Sequence, residues 1–170
     1  DMLAWFRDIV AWPIDNLSSV SVTDREKLND EIITALSLQA EKLPISESAP
    51  LALDWINGRR TPDANQALKT AIINLSLGTN APAIFRALIE AICFGSRKIV
   101  DRFKEEGVEI KSVVGVGGVA KKSPFIMQTL ADVLNMPIKV ASSDQAPALG
   151  AAMYAATAAG LYGSVTQASK

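Results

Sequence analysis

Apolar residues recur at three- and four-residue spacings through most of the chain, and short continuous apolar runs interrupt them, so the pattern alternates helices with brief strands. In the first dozen residues Leu3, Phe6, Ile9 and Val10 mark one helical face. Residues 13–22 are polar and read as a loop. Thr23, with Glu26 three residues later, has the spacing of a capping box and opens a second helix reaching about Lys42. Leu28, Ile32, Leu36 and Leu43 lie on one side of it, Glu26, Lys27, Asp30, Glu31 and Glu41 on the other, and Pro44 ends it. The apolar runs 51–56 and 71–77 read as strands. Between them stand the turn Asn57-Gly58 and a polar loop holding Arg59, Arg60, Thr61, Pro62, Asp63 and Asn65. Asn80 and Pro82 then open the longest helix, whose stripe Ile84, Leu88, Ala91, Gly95, Ile99 and Phe103 runs about six turns before Gly107 closes it.

The last third repeats the alternation at closer quarters. Residues 112–116 form a β-branched run suited to a strand buried on both faces. Gly115, Gly117 and Gly118 follow as a turn free of Cβ clashes. From Ser123 a helix is predicted, with Pro124 in its first turn and Phe125, Ile126, Leu130, Val133 and Leu134 on one face; Met136 and Pro137 stop it before a strand at 138–141. Ser142, Ser143 or Asp144 can cap a final helix, 148–159, rich in alanine, and the polar tail after Gly160 is expected to fray. The fold class is α/β.

Composition narrows the chemistry. A chain of 170 residues, 49% hydrophobic, is the size of one domain with a real core. A net charge of −1 advertises neither nucleic acid nor anionic lipid as a partner. No run approaches the roughly 18 apolar residues of a membrane span. Cys93 is the single cysteine, which excludes an intrachain disulfide, and a small buried hydrophobe is the preferred reading of it. Histidine is absent, which removes Ser-His-Asp and Cys-His triads and most transition-metal sites. A strongly apolar first element beginning at Asp1 with no polar cap reads as part of a longer protein.

The strand, glycine turn and helix around Gly117 place helix N-terminal amides beside backbone without side chains, an arrangement suited to phosphate. A tight turn in any α/β domain has the same local sequence. Gly115, Gly117 and Ala120 also match G-x-G-x-x-A, with Asp144 near the place of a ribose-binding acid, so a dinucleotide is an alternative ligand. No Walker A loop is present. Arg59 and Arg60 could grip an anion, although pinning of their own loop by local acids is the preferred reading. Glu90, beside the apolar stripe, is preferred as a hydrogen-bonded structural acid over a catalytic base.

The stretch GGVAKKSPFIMQTLADVLNMPIKV followed by SSDQAPALGAAMYAA resembles the C-terminal part of the FGGY carbohydrate kinases. LALDWINGRRTPDAN, APAIFRALIEAICFGSRKIVDRF and the opening DMLAWFRDIVAW are similar to segments of the same family, so the resemblance covers nearly the whole chain. It implies a fold related to actin, in which two ribonuclease-H-like domains close around ATP and a sugar. This chain would be a single domain, 1–170, forming the nucleotide-side lobe. By that resemblance Gly117 and Gly118 present backbone to the phosphates, Val119 and Ala120 line the pocket, and Ser123 stands where relatives commonly carry an asparagine near the adenine. Lys121 matches a position that is often basic, and Glu90 an acid usual in its helix. The family's general-base aspartate falls upstream, so no catalytic residue and no metal ligand is assigned to this chain. The implied parent is a cytoplasmic kinase using ATP and Mg²⁺ to phosphorylate L-ribulose, with xylulose and other pentuloses as alternatives. The sugar would be reached through the N-terminal domain, and a homo-oligomer is left open. An NAD-binding domain of an oxidoreductase and a non-enzymatic actin-like protein are the rival readings.

Overall fold

Helix α3 (Ala81–Glu105) is the element against which three other helices and the first strand pack. Asn80 caps it, its Oδ1 accepting from the Ala83 amide at 3.0 Å, and Pro82 occupies its first turn. Phe85, Leu88, Ile89 and Cys93, spaced to fall on one face, are fully buried. The structure is a computed structural model and describes residues 2–169 apart from Val20, Val119, Lys121, Lys122 and Asp144.

Two helices precede α3 in the chain and lie against it. From α1 (Met2–Asn16) come Met2 and Phe6, and from α2 (Val22–Glu41) Leu36 and Ala40, all buried in one cluster with the α3 stripe. The Phe6 and Phe85 rings meet at 6.2 Å between centroids, within the range of favourable aromatic pairs. α1 continues through Pro13, where a loop was expected, although proline has no N–H to give to the Ile9 carbonyl and its ring crowds that carbonyl. The α2 cap also differs from expectation. Ser21, not Thr23, is the N-cap, its Oγ accepting from the Asp24 amide at 3.2 Å, so Thr23 and Glu26 sit inside the first turns. Arg25 fixes the short connection, donating to the carbonyls of Asp15 (2.9 Å) and Leu17 (3.0 Å).

The strands are shorter than the apolar runs. β1 (Leu51–Ala52) pairs antiparallel with β2 (Ile72–Ile73), Leu51 opposite Ile73. Leu53 still pairs across, its amide donating to the Ala71 carbonyl at 3.0 Å, but beyond it the chain leaves for a turn closed by Gly58 N–H to Trp55 C=O at 3.0 Å, which ends the expected strand early. Parallel pairing joins β3 (Val113–Gly115) to β4 (Ile138–Val140), the order a strand–helix–strand unit produces. β3 is not buried on both faces: Val114 is 54% exposed.

Between β3 and β4 runs α4 (Pro124–Leu134), which packs on α3 and α2. It ends at Asn135 in the left-handed conformation (φ 52°), ahead of Pro137. α5 (Ala146–Ala158) starts two residues before the predicted helix, and none of its residues is buried. Asp144, a predicted cap for it, lies outside the described residues. The tail does not fray throughout: Ser164 caps a short α6 (Val165–Ala168) by accepting from the Gln167 amide at 3.3 Å.

Candidate nucleotide site

The turn from β3 into α4 gathers the residues singled out by sequence. Gly115 lies against side chains: a Cβ there would stand 2.7 Å from Met127 Cε and 3.3 Å from Ala120 Cβ, so the flexible Met127 tip would have to move to admit one. Gly117 is required by conformation, with φ at +90°. Gly118 is different: its φ is not in the left-handed region and, among the described residues, a Cβ there would meet nothing within 4 Å. Neither packing nor backbone demands glycine at Gly118, so its bare backbone is free for close approach by something else.

Ser123 is 6% exposed and caps α4, its Oγ accepting from the Ile126 amide at 3.4 Å. Capping uses the hydroxyl as an acceptor and leaves its proton available to a ligand. Ala120 is buried. Val119, Lys121 and Lys122 lie outside the described residues.

Gly118 and Ser123 line a cavity of about 400 Å³. Its other walls come from elements that sequence reasoning did not assign to a site: Leu3 and Arg7 of α1, Asp30, Ile33, Thr34 and Ser37 of α2, and Ile126 of α4. Gly117 and Ala120 adjoin this cavity in the chain without lining it. Aliphatic side chains on three helices with hydroxyls and a capped helix N-terminus between them suit a ligand that is part flat and apolar, part anionic.

The arginine pair belongs elsewhere, at a larger cavity of about 920 Å³ between the 54–63 loop and α3. Arg59 is pinned, but not by an acid: its Nε donates to the Asp63 carbonyl at 2.9 Å and its guanidinium lies 5.6 Å from the Trp55 ring centre. The Asp63 carboxylate instead faces Arg102 at 3.7 Å. Burial raises the pKa of Asp54 in the same loop, and a methyl group on Gly95 would collide with its carboxylate. Glu90 is held by Arg86 Nε at 2.8 Å, and Arg86 also donates to the Leu43 carbonyl, which ties α3 to the end of α2. That is the structural role expected for this acid.

Cys93 is fully buried, and burial, with the nearby Glu90 charge as the lesser cause, pushes its thiol up to about 12 from an ordinary 9.0. The folded protein thus holds a proton that the unfolded chain loses above pH 9. The thiol's contribution to stability is constant below that value and is lost as pH rises from about 9 towards 12. A thiol reagent at neutral pH is expected to label Cys93 only after denaturation. Stoichiometric labelling of the native chain would contradict its burial.

Among the described residues no helix is long and apolar enough to cross a membrane. A model of the FGGY family of carbohydrate kinases, C-terminal domain, matches residues 2–159. The chain belongs to this family. A ribulokinase from Vibrio parahaemolyticus is 46% identical over 165 residues, covering 95% of this chain and 29% of its own length. The chain therefore spans less than a third of that FGGY relative. Among solved structures, the Plasmodium falciparum glycerol kinase with ADP matches with TM-score 0.68 and 25% identity, covering 95% of this chain and 30% of that one. A ligand-bound xylulose kinase from Lactobacillus acidophilus matches with TM-score 0.64 at 21% identity, over 94% of this chain and 31% of its own. These likenesses establish the actin-like ATPase fold of the FGGY kinases, with its mixture of helices and small sheets. Family membership sets aside the pyridine-dinucleotide reading of Gly115, Gly117 and Ala120, and Asp144, the acid it required, lies outside the described residues.

Proposed function

We propose that this chain is the nucleotide-side lobe, residues 1–170, of an ATP-dependent kinase that phosphorylates L-ribulose. The observation that carries the reading is the cavity in which the unobstructed Gly118 backbone meets the N-terminus of α4. In this reading Gly117 and Gly118 present backbone to the phosphates, Ala120 stands beside them, and Ser123 lies near the adenine. Membership of a carbohydrate-kinase family and the ADP in a glycerol kinase of the same fold support a nucleotide as the ligand. The name of the Vibrio relative supports ribulose over xylulose, for which the likeness extends to fold alone.

Phosphoryl transfer asks the protein for positioning and charge stabilisation, and Mg²⁺, when bound, would supply neutralisation of phosphate charge. Among the described residues no group of three or more acidic, histidine or cysteine side chains could hold a metal ion. This part of the chain therefore does not itself fit a metal cage, and a cation would be held chiefly by phosphates and water. The sugar and the base that orients its hydroxyl belong to the remainder of the protein. A cytoplasmic setting agrees with one free, buried cysteine.

The full-length protein is expected to phosphorylate L-ribulose with ATP, and the 170-residue chain alone to give no turnover. Turnover by the isolated chain would refute the division of labour. Full-length protein active only on another sugar would refute the substrate.

A further inference from the structure

The α2 wall of the cavity contains an unexplained polar group. Two buried side-chain atoms lack a hydrogen-bond partner among the described residues, Asn29 Oδ1 and Ser37 Oγ, and of these residues only Ser37 lines the cavity. Ser37 is 8% exposed and lies in the buried stripe of α2, beside Leu36 and one turn from Ala40. An orphaned buried hydroxyl is destabilising, and alanine would fill that position at no such cost. Thr34, one turn before Ser37, places a second hydroxyl on the same wall.

We infer that Ser37 is a base-reading residue, contacting the heteroaromatic edge of the bound nucleotide, with Thr34 at the rim. Leu3, Ile33 and Ile126 offer aliphatic surface to the flat faces of a purine, whose ring nitrogens and amino group need partners at the edge. Ser37 can both donate and accept, and its hydroxyl has staggered positions other than the one that buries Oγ. The phosphates then lie against the Gly118 backbone, which lines the same cavity. A site whose buried polar group is satisfied only by the right ligand rejects ligands that cannot pair with it.

This rests on the nucleotide reading above, and the test separates the two. In the full-length protein, Ser37→Ala should weaken Mg-ADP binding in calorimetry by about tenfold, as expected for one lost hydrogen bond in a desolvated site. Inorganic tripolyphosphate, which has no base, should bind Ser37→Ala and the unmodified protein equally. The KM for ATP should rise by more than kcat falls. Without the orphaned hydroxyl, the ligand-free variant should melt no lower than the parent. A second measurement needs no variant: 2-azido-ADP, photolysed on the unmodified protein, should label the tryptic peptide 28–42. Equal ADP affinity in Ser37→Ala, or label confined to other peptides, overturns the role of Ser37 while leaving the glycine-turn reading intact if Gly118→Val still abolishes ADP and tripolyphosphate binding. If Gly118→Val changes neither ligand's affinity, both readings fall.

Discussion

Gly118→Val in the full-length protein is expected to weaken Mg-ADP binding by about 100-fold or more, close to 3 kcal/mol, while changing the melting temperature by no more than about 2 °C. The two parts of the expectation have separate causes. Among the described residues a Cβ at Gly118 meets nothing within 4 Å, which leaves room for the new side chain. The same side chain would occupy the space through which phosphate reaches the backbone and the N-terminus of α4. Gly117→Val makes the informative contrast. At φ +90° it should lower stability as well as affinity, because a β-branched residue strains in that conformation. Calorimetric titration with Mg-ADP beside thermal unfolding reads both quantities. Loss of stability without loss of affinity in Gly118→Val would invert the assignment.

The second large effect concerns the core. Phe85 has no exposed surface, meets Phe6 across the α1–α3 contact and belongs to the cluster that joins α1, α2, α3 and α4. Phe85→Ala should cost about 3–5 kcal/mol through lost transfer energy and the cavity left behind. Loss on that scale is a large part of the total stability of a domain. Leu88→Ala, one turn along the same buried face, should cost about 2–5 kcal/mol for the same reason. Denaturant unfolding with an unchanged m-value measures each cost. A change below about 1 kcal/mol at Phe85 would mean that α3 is not the packing centre.

The helices were legible because their signals are local and redundant. Asn80 and Pro82 start α3, Ser123 and Pro124 start α4, and each is followed by an apolar stripe at helical spacing. The strands were legible in position but not in length. An apolar run such as 51–56 records burial and β propensity, whereas a ladder needs a partner, and beyond Leu53, which still donates to Ala71, the chain closes a turn between Trp55 and Gly58. Cap position was misread for α2 because Ser21 and Thr23 are both competent N-caps, and sequence alone does not say which one the entering chain presents.

The site was half legible for a related reason. Gly118 and Ser123 lie close together in sequence and carry recognisable turn and cap chemistry. Leu3, Arg7, Ile33 and Ser37 reach the same cavity from helices some 80 or more residues earlier, and only tertiary packing brings them together. The one local hint was Ser37, a polar residue within an otherwise apolar stripe. Arg59 gave the opposite lesson. A double arginine suggests anion binding, yet Arg59 is spent on a carbonyl and a tryptophan ring of its own loop.

Amide hydrogen exchange of the full-length protein, with and without saturating Mg-ADP, tests the central claim most directly. Slowed exchange is expected in two separate segments, residues 116–126 at the glycine turn and residues 30–37 on α2, with the 54–63 loop unchanged. Protection confined to the 54–63 loop, or none in residues 116–126, would contradict the assignment of this turn as the nucleotide site.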